Sequence, residues 1–242
     1  MRGEGAFWSV AVYLLKMRPI PVLALLATLA IPAHAQVVSL DEGSFTITRA
    51  GSRVGREDFS IRSSPGAGGL LLVAHGVVAM GNRRIEPSQS ADTTGAVEKY
   101  QTEIRENGVV ALTYSGELAR DHYRARTTRP DGESSREFRL LPGTVAVEDE
   151  VLHQLWFIAR RGPGAVVPVL APLRNLVETV RVELVGNERI AIDMHDIDAR
   201  HLRLRTEGSG VTRDVWVDAA GHLLKVVIPA TKITAVRDET PR

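Results

Sequence analysis

The chain has 242 residues, a formal net charge of +1, 44% hydrophobic side chains and no cysteine. That near-neutral balance offers no electrostatic footprint for nucleic acid or for an anionic membrane surface. Without cysteine there are no disulfides and no thiol catalysis, so burial and backbone pairing must hold the fold.

The first 35 residues are read as an export leader and not as part of the fold. Met17-Arg18 precedes the apolar run Pro19 to Pro32, and Ala33-His34-Ala35 supplies small residues at the cleavage positions. Gln36 is then the mature N-terminus, and the expected location is periplasmic or extracellular. The run is shorter than the roughly 20 apolar residues that span a bilayer. Residues 1–16 read as a mis-assigned upstream start, the alternative being an uncleaved anchor beginning near Phe7. No Cys follows the apolar run, which closes the lipoprotein route. Residues 36–242 show no composition break and are expected to form one domain.

SFTITRA (44–50) and REDFSIR (56–62) alternate apolar and polar residues, predicting a hairpin across Gly51 to Gly55. Ser63 to Gly69 reads as a glycine-rich loop, without the spacing of a phosphate cradle. LLLVAHGVVAM (70–80) is apolar on both faces, predicting a central strand covered on each side, with His75 a core histidine. Gly81 to Gly95 reads as a long polar loop. Strands follow at 96–105, 109–117, 121–128 and 134–141, separated by turns at Glu106-Asn107-Gly108 and Arg129-Pro130-Asp131-Gly132.

Glu148 to Arg161 breaks the period of two. Val151, Leu152, Leu155, Trp156 and Ala159 recur at helical spacing, acidic residues open the segment, and Gly162 stands ready as a cap. A helix over 148–161 is therefore predicted, lying on the concave face of a curved sheet, with His153 on its polar side. Gly162 to Pro172 is apolar but carries three prolines, which marks an edge strand or the lip of a cavity.

From Val177 to Arg237 alternation returns in six short segments: ETVRVEL, RIAIDM, RHLRLRT, TRDVWVD, LLKVVIP and TKITAVR. Turns at Val-Gly-Asn-Glu, Asp-Ile-Asp, Glu-Gly-Ser-Gly and Ala-Ala-Gly-His are too short for parallel crossovers, so neighbours are antiparallel. The fold class is thus mainly β: a single antiparallel meander of ten or more strands, strongly curved or half-open, with one short covering helix.

No catalytic constellation emerges. Asp193, His195, Asp196, Asp198 and His201 cluster near a hairpin without any metal-motif spacing, so no metal and no cofactor are expected. No Gly-x-Ser-x-Gly elbow is present. Trp216 is expected to pack on a sheet face.

FTITRAGSRVGREDFSIR near the start and RDVWVDAAGHLLKVVIP near the end carry a Gly-x-x-Val-Gly turn and a Trp-Val-Asp-x-x-Gly-x-Leu hairpin. In these the chain resembles uncharacterised exported bacterial β-meander proteins, a family of unknown function. Its layout is also similar to the half-barrel of periplasmic lipoprotein carriers, where a curved sheet wraps an apolar cavity under a helical lid. Independently of that likeness, the helix and the Val-Pro-Val-Leu-Ala-Pro segment are placed as lid and lip over an apolar concave face that one short helix covers only in part. An apolar ligand such as a lipid is therefore expected, contacted by Leu155, Trp156, Phe157, Val169 and Leu170. The alternative is a non-catalytic envelope scaffold or interaction module with a filled core and an envelope protein as partner. Neither resemblance carries catalytic residues.

Overall fold

The period-two alternation is realised as one sheet of 15 strands in a computed structural model that describes residues 37–120 and 122–241. The leader expected at 1–35 lies outside the described residues. The first arm comprises β1 (Val38–Arg49), β2 (Ser52–Gly66), β3 (Gly69–Met80), β4 (Arg83–Ala91), β5 (Val97–Glu106), β6 (Val109–Ala119), β7 (His122–Arg129) and β8 (Gly132–Phe138). The second arm comprises β9 (Val145–Ala146), β10 (Val166–Ala171), β11 (Leu176–Ile192), β12 (His195–Thr206), β13 (Thr212–Val217), β14 (Leu223–Ile228) and β15 (Ile233–Arg237). Each arm is a meander, and the two meet where β1 pairs antiparallel with β15, so both ends of the described chain lie mid-sheet. The exception to antiparallel pairing is β9, which runs parallel to β10 through Val145 and Ala146.

The sheet has to be curled. Laid flat, its 15 strands would span about 67 Å at a spacing of about 4.8 Å. Yet β8 and β9 are the opposite edges, and the chain passes from Phe138 to Val145 in steps that reach at most roughly 25 Å. On the way, the Thr144 carbonyl accepts the Val97 N–H at 2.8 Å, tying this crossing to the start of β5. The edges approach without pairing, and the barrel remains open.

Residues 145–159 then enter the curled sheet and fill it. Val145, Val147, Val151, Leu152, Leu155, Trp156, Phe157, Ile158 and Ala159 are all buried in one cluster with inward residues of both arms. We call this segment the plug. Only its last part is helical: a 3-10 turn at His153–Leu155 continues into α1 (Trp156–Ala159). This corrects the expected helix over 148–161. The apolar spacing that resembled one face of a long helix belongs to a short segment surrounded by sheet, where side chains are buried on every side, His153 and Gln154 among them. Gly162 does end it, at φ +78°, with its N–H on the Ala159 carbonyl.

Several other expectations are revised. Residues 81–95 are not a loop: β4 runs through them, with Ile85, Pro87, Gln89 and Ala91 facing inward. Pro87 is accommodated because the β3–β4 ladder skips the positions between His75–Ser88 and Val78–Ile85, where a proline N–H would be missing. Residues 63–69 are mostly strand, β2 continuing to Gly66. The first hairpin turns at Ala50–Gly51, both at positive φ, rather than across Gly51 to Gly55. ETVRVEL and the first four residues of RIAIDM belong to the single strand β11, and Val-Gly-Asn-Glu holds a bulge between Leu184 and Gly186 rather than a turn. The hairpin tip sits at Asp193–Met194, both left-handed, so Asp196 and Asp198 are ladder residues. The outer face of β3 is uncovered: His75 is exposed, not a core histidine.

A buried ion pair holds the seam between the two arms. Arg237 on β15 donates to Asp41 on β1 at 2.7 Å, and also to the Leu223 and Glu42 carbonyls, while Asp41 accepts the Leu223 N–H at 2.9 Å. Burial raises the Asp41 carboxyl pKa above its ordinary value against the lowering pull of Arg237. The pair is therefore costly to leave half-made. Asp41→Ala is expected to lower the urea unfolding free energy by about 3–5 kcal/mol. A loss under about 1 kcal/mol would show that the seam does not depend on it.

Candidate functional site

The plug is held by a carboxylate from the sheet wall. On β2 the inward positions are Glu57, Phe59 and Ile61, all buried, so alternation carries an acid into the interior. One Glu57 oxygen accepts the Leu152 N–H at 2.8 Å, and the other the His153 N–H at 2.9 Å. The His153 ring lies 2.5 Å from Glu57 through Nδ1, which donates to the carboxylate. His153 is 1% exposed, which corrects its expected place on a polar helix face. Its ring stacks on Phe59, which stacks on Phe45, with centroids 5.6 and 5.1 Å apart. Opposite it stands Gly76, where a Cβ would come within 2.5 Å of the imidazole.

The plug carries a second buried polar group. Glu148 is buried and accepts the Leu173 N–H at 2.6 Å, while its own N–H donates to Gln154. Desolvation pushes its carboxyl pKa up to about 8, the Leu173 N–H opposing the shift. Nearby, Tyr100, Tyr114 and Tyr123 are almost fully buried, and burial raises all three phenols. The Tyr100 hydroxyl faces Gln154 and Thr102, and the Tyr114 and Tyr123 hydroxyls face each other, without the distances and angles of well-formed hydrogen bonds.

The five residues expected to contact an apolar ligand are all buried. Leu155, Trp156, Phe157 and Val169 belong to the main core cluster, whereas Leu170 faces a second cluster containing Tyr100, Tyr114 and Tyr123. Trp156 and Phe157 meet edge to face at 5.1 Å, and the Arg160 guanidinium covers the Trp156 ring at 4.6 Å. None of the five lines the clefts at the rim of the barrel. Pro168 lies in β10, whose outer edge is paired only by the two residues of β9, so this segment is close to a sheet edge.

The Asp193–His201 group is not gathered. Asp193, His195, Asp196 and Asp198 are exposed at the β11–β12 tip, while His201 turns away to Glu188 at 2.7 Å and Asp214 at 3.1 Å. Trp216 packs on that same sheet face, stacked on His201 at 4.1 Å and donating to Glu188 at 2.9 Å. These hydrogen bonds lower the Glu188 carboxyl pKa. Among the described residues no group of three His, Asp or Glu is arranged to hold a metal.

A polar cleft of about 540 Å³ opens at the seam. Its wall includes Asp41, Arg237, Arg56, Arg62 and His222, whose Nδ1 is 2.8 Å from Asp218. The Asp-x-x-Gly hairpin of the sequence thus builds one wall of this cleft. Parity could have located Glu57, Asp41 and Arg237, since each shares its strand's inward register with apolar residues. No pattern marks Glu148, which precedes the helical turn in irregular backbone.

No protein-family model, curated protein or solved structure matches the chain, so its chemistry must be argued from these side chains.

Two outcomes are expected. Gly76→Ala should displace the His153 ring and destabilise the fold by about 1–3 kcal/mol, as overpacked cores do; an unchanged urea midpoint would contradict the contact. Glu148 binds its proton more tightly folded than unfolded, so stability falls as pH rises from about 4.5 through about 8. Glu148→Gln should flatten that decline in urea titrations across the window, and a slope identical to wild type would refute the assignment.

Proposed function

We propose that this protein is a non-catalytic envelope scaffold or interaction module with a solid interior, which meets other molecules at its rim and outer surface. One observation carries the reading: the concave face that a hollow carrier would offer a ligand is occupied by the chain's own residues 145–159. The plug is anchored at Glu57 by two backbone donors and an imidazole, so emptying the interior would strand a buried carboxylate. Lipoprotein carriers resemble the chain in layout, but a shuttle of that kind needs space that Trp156, Phe157 and Ile158 take up here. Export, and with it the envelope setting, rests on the leader pattern at 17–35.

Truncating the plug tests the interior directly. Trp156→Ala should cost about 3–5 kcal/mol of unfolding free energy, the range for an aromatic removed from a packed core. A carrier would behave in the opposite way. The variant would keep most of its stability and lose affinity for apolar probes that the wild type binds, and that result would overturn the proposal.

A further inference from the structure

The end of the barrel where the plug turns back, at Asp149 and Glu150, carries a second cavity, of about 390 Å³. It lies between the end of β1, the starts of β11 and β13, and the Pro229–Thr231 turn that joins β14 to β15. Strands end here, so inward side chains near their ends lose the covering that neighbours give them further in. Ile228 and Ile233 are buried at its floor, and Leu176 remains 43% exposed at its mouth beside half-buried Val211. An apolar depression of this size lies within the range of small-molecule sites.

Its charges are mostly satisfied from within. Arg213 donates to Asp149 at 2.6 Å, and Arg174 reaches Asp149 at 3.2 Å and Glu178 at 2.9 Å. Glu150 is paired outside the cavity, with Arg83 at 3.1 Å. Arg49, at the end of β1, makes no ion pair among the described residues. The formal charges of the lining, three arginines against three carboxylates, sum to zero, and Arg49 is the guanidinium among them that no carboxylate meets, above an apolar floor.

We propose that this cavity binds a single-chain amphiphile with one anionic head group, its tail against Leu176, Val211, Ile228 and Ile233 and its head on Arg49. A guanidinium takes a carboxylate with two parallel hydrogen bonds, which favours a fatty-acid type of head over a neutral one. The site extends the rim-recognition reading and leaves the plug in place.

Calorimetric titration of the mature chain with dodecanoate below its micellar concentration tests it. Saturable 1:1 binding is expected, weakened at least tenfold by Arg49→Glu and by Val211→Glu. Acetate, which lacks the tail, and dodecyltrimethylammonium, which reverses the head charge, should not bind saturably. Arg49 is exposed and Val211 half-buried, and circular dichroism melts are to show that the variants remain folded. A variant that fails to fold is replaced by Arg49→Met or Leu176→Glu, with the same expected loss. Absence of saturable dodecanoate binding, equal affinity in the Arg49 variants, or equal binding of the cationic amphiphile would each overturn the site while leaving the solid-interior reading standing. If Trp156→Ala abolished binding and Arg49→Glu did not, the tail would lie inside the barrel, and both proposals would fall.

Discussion

A buried carboxylate that finds its donors on another part of the chain is the constraint on which this structure turns. Glu57 sits on the inner wall of β2, where desolvation would be prohibitive for an unpartnered acid. Its donors are the Leu152 and His153 N–H groups and the His153 ring. Those N–H groups open a short helical turn whose first donors have no partner within the helix, so each side satisfies the other. The approach is close enough that Gly76 must lack a side chain. The sheet therefore curls around the plug, and the plug is fixed because the sheet supplies its missing acceptor.

The second buried network, Asp41 with Arg237, is joined to the first through aromatic rings. Phe45, Phe59 and His153 stack in succession, and the Arg237 guanidinium lies 5.6 Å from the Phe59 ring centre. The seam and the plug are thus linked by a continuous stack of rings. This coupling suits a sheet with both chain ends in its middle, because β1 and β15 must pair across nearly the whole sequence. Contacts of such separation carry a high loop-closure cost, and removing one partner of a buried charge pair at such a junction leaves the other uncompensated. The two free edges are handled differently. β8 carries Glu133, Arg136 and Glu137, charges that discourage pairing with another chain, while β9 is only two residues long and β10 beside it contains Pro168.

Strand periodicity was the legible part of the sequence. The hairpin with a left-handed turn at Asn107–Gly108 and the strands around Tyr114, Tyr123 and Val215 follow from alternation and turn chemistry alone. Alternation failed where the inward residues are a mixture of polar, small and proline side chains. β4 faces inward with Ile85, Pro87, Gln89 and Ala91, so it reads as a loop until its neighbours are in place. The plug misled for the opposite reason. Its apolar residues recur at helical spacing, but a segment enclosed on every side has no polar face, and periodicity then says little about its length. At β11, Val185-Gly186-Asn187 has turn composition but forms a bulge, since β12 continues alongside it.

Candidate binding residues were harder to read than strands because burial in this fold has two sources, the sheet's own inward faces and the plug. Trp156 and Phe157 look like lid residues in sequence, and only the crossing from β8 to the opposite edge shows that the segment passes into the barrel. The polar interior was in principle accessible. Residues 57, 59 and 61 share one register, as do 233, 235 and 237, so strand parity by itself stands an acid and an arginine among core positions. A charge in an inward register needs a partner, and parity does not say which. Glu57 is met by backbone donors and His153, and Asp41 by Arg237. Glu148 receives only one backbone N–H, and burial raises its carboxyl pKa strongly. The first two settle the arrangement of the sheet around the plug. The third shows where the interior is least well compensated: beneath the tyrosines, at the stretch of chain through which residues 149 and 150 lead out to the rim.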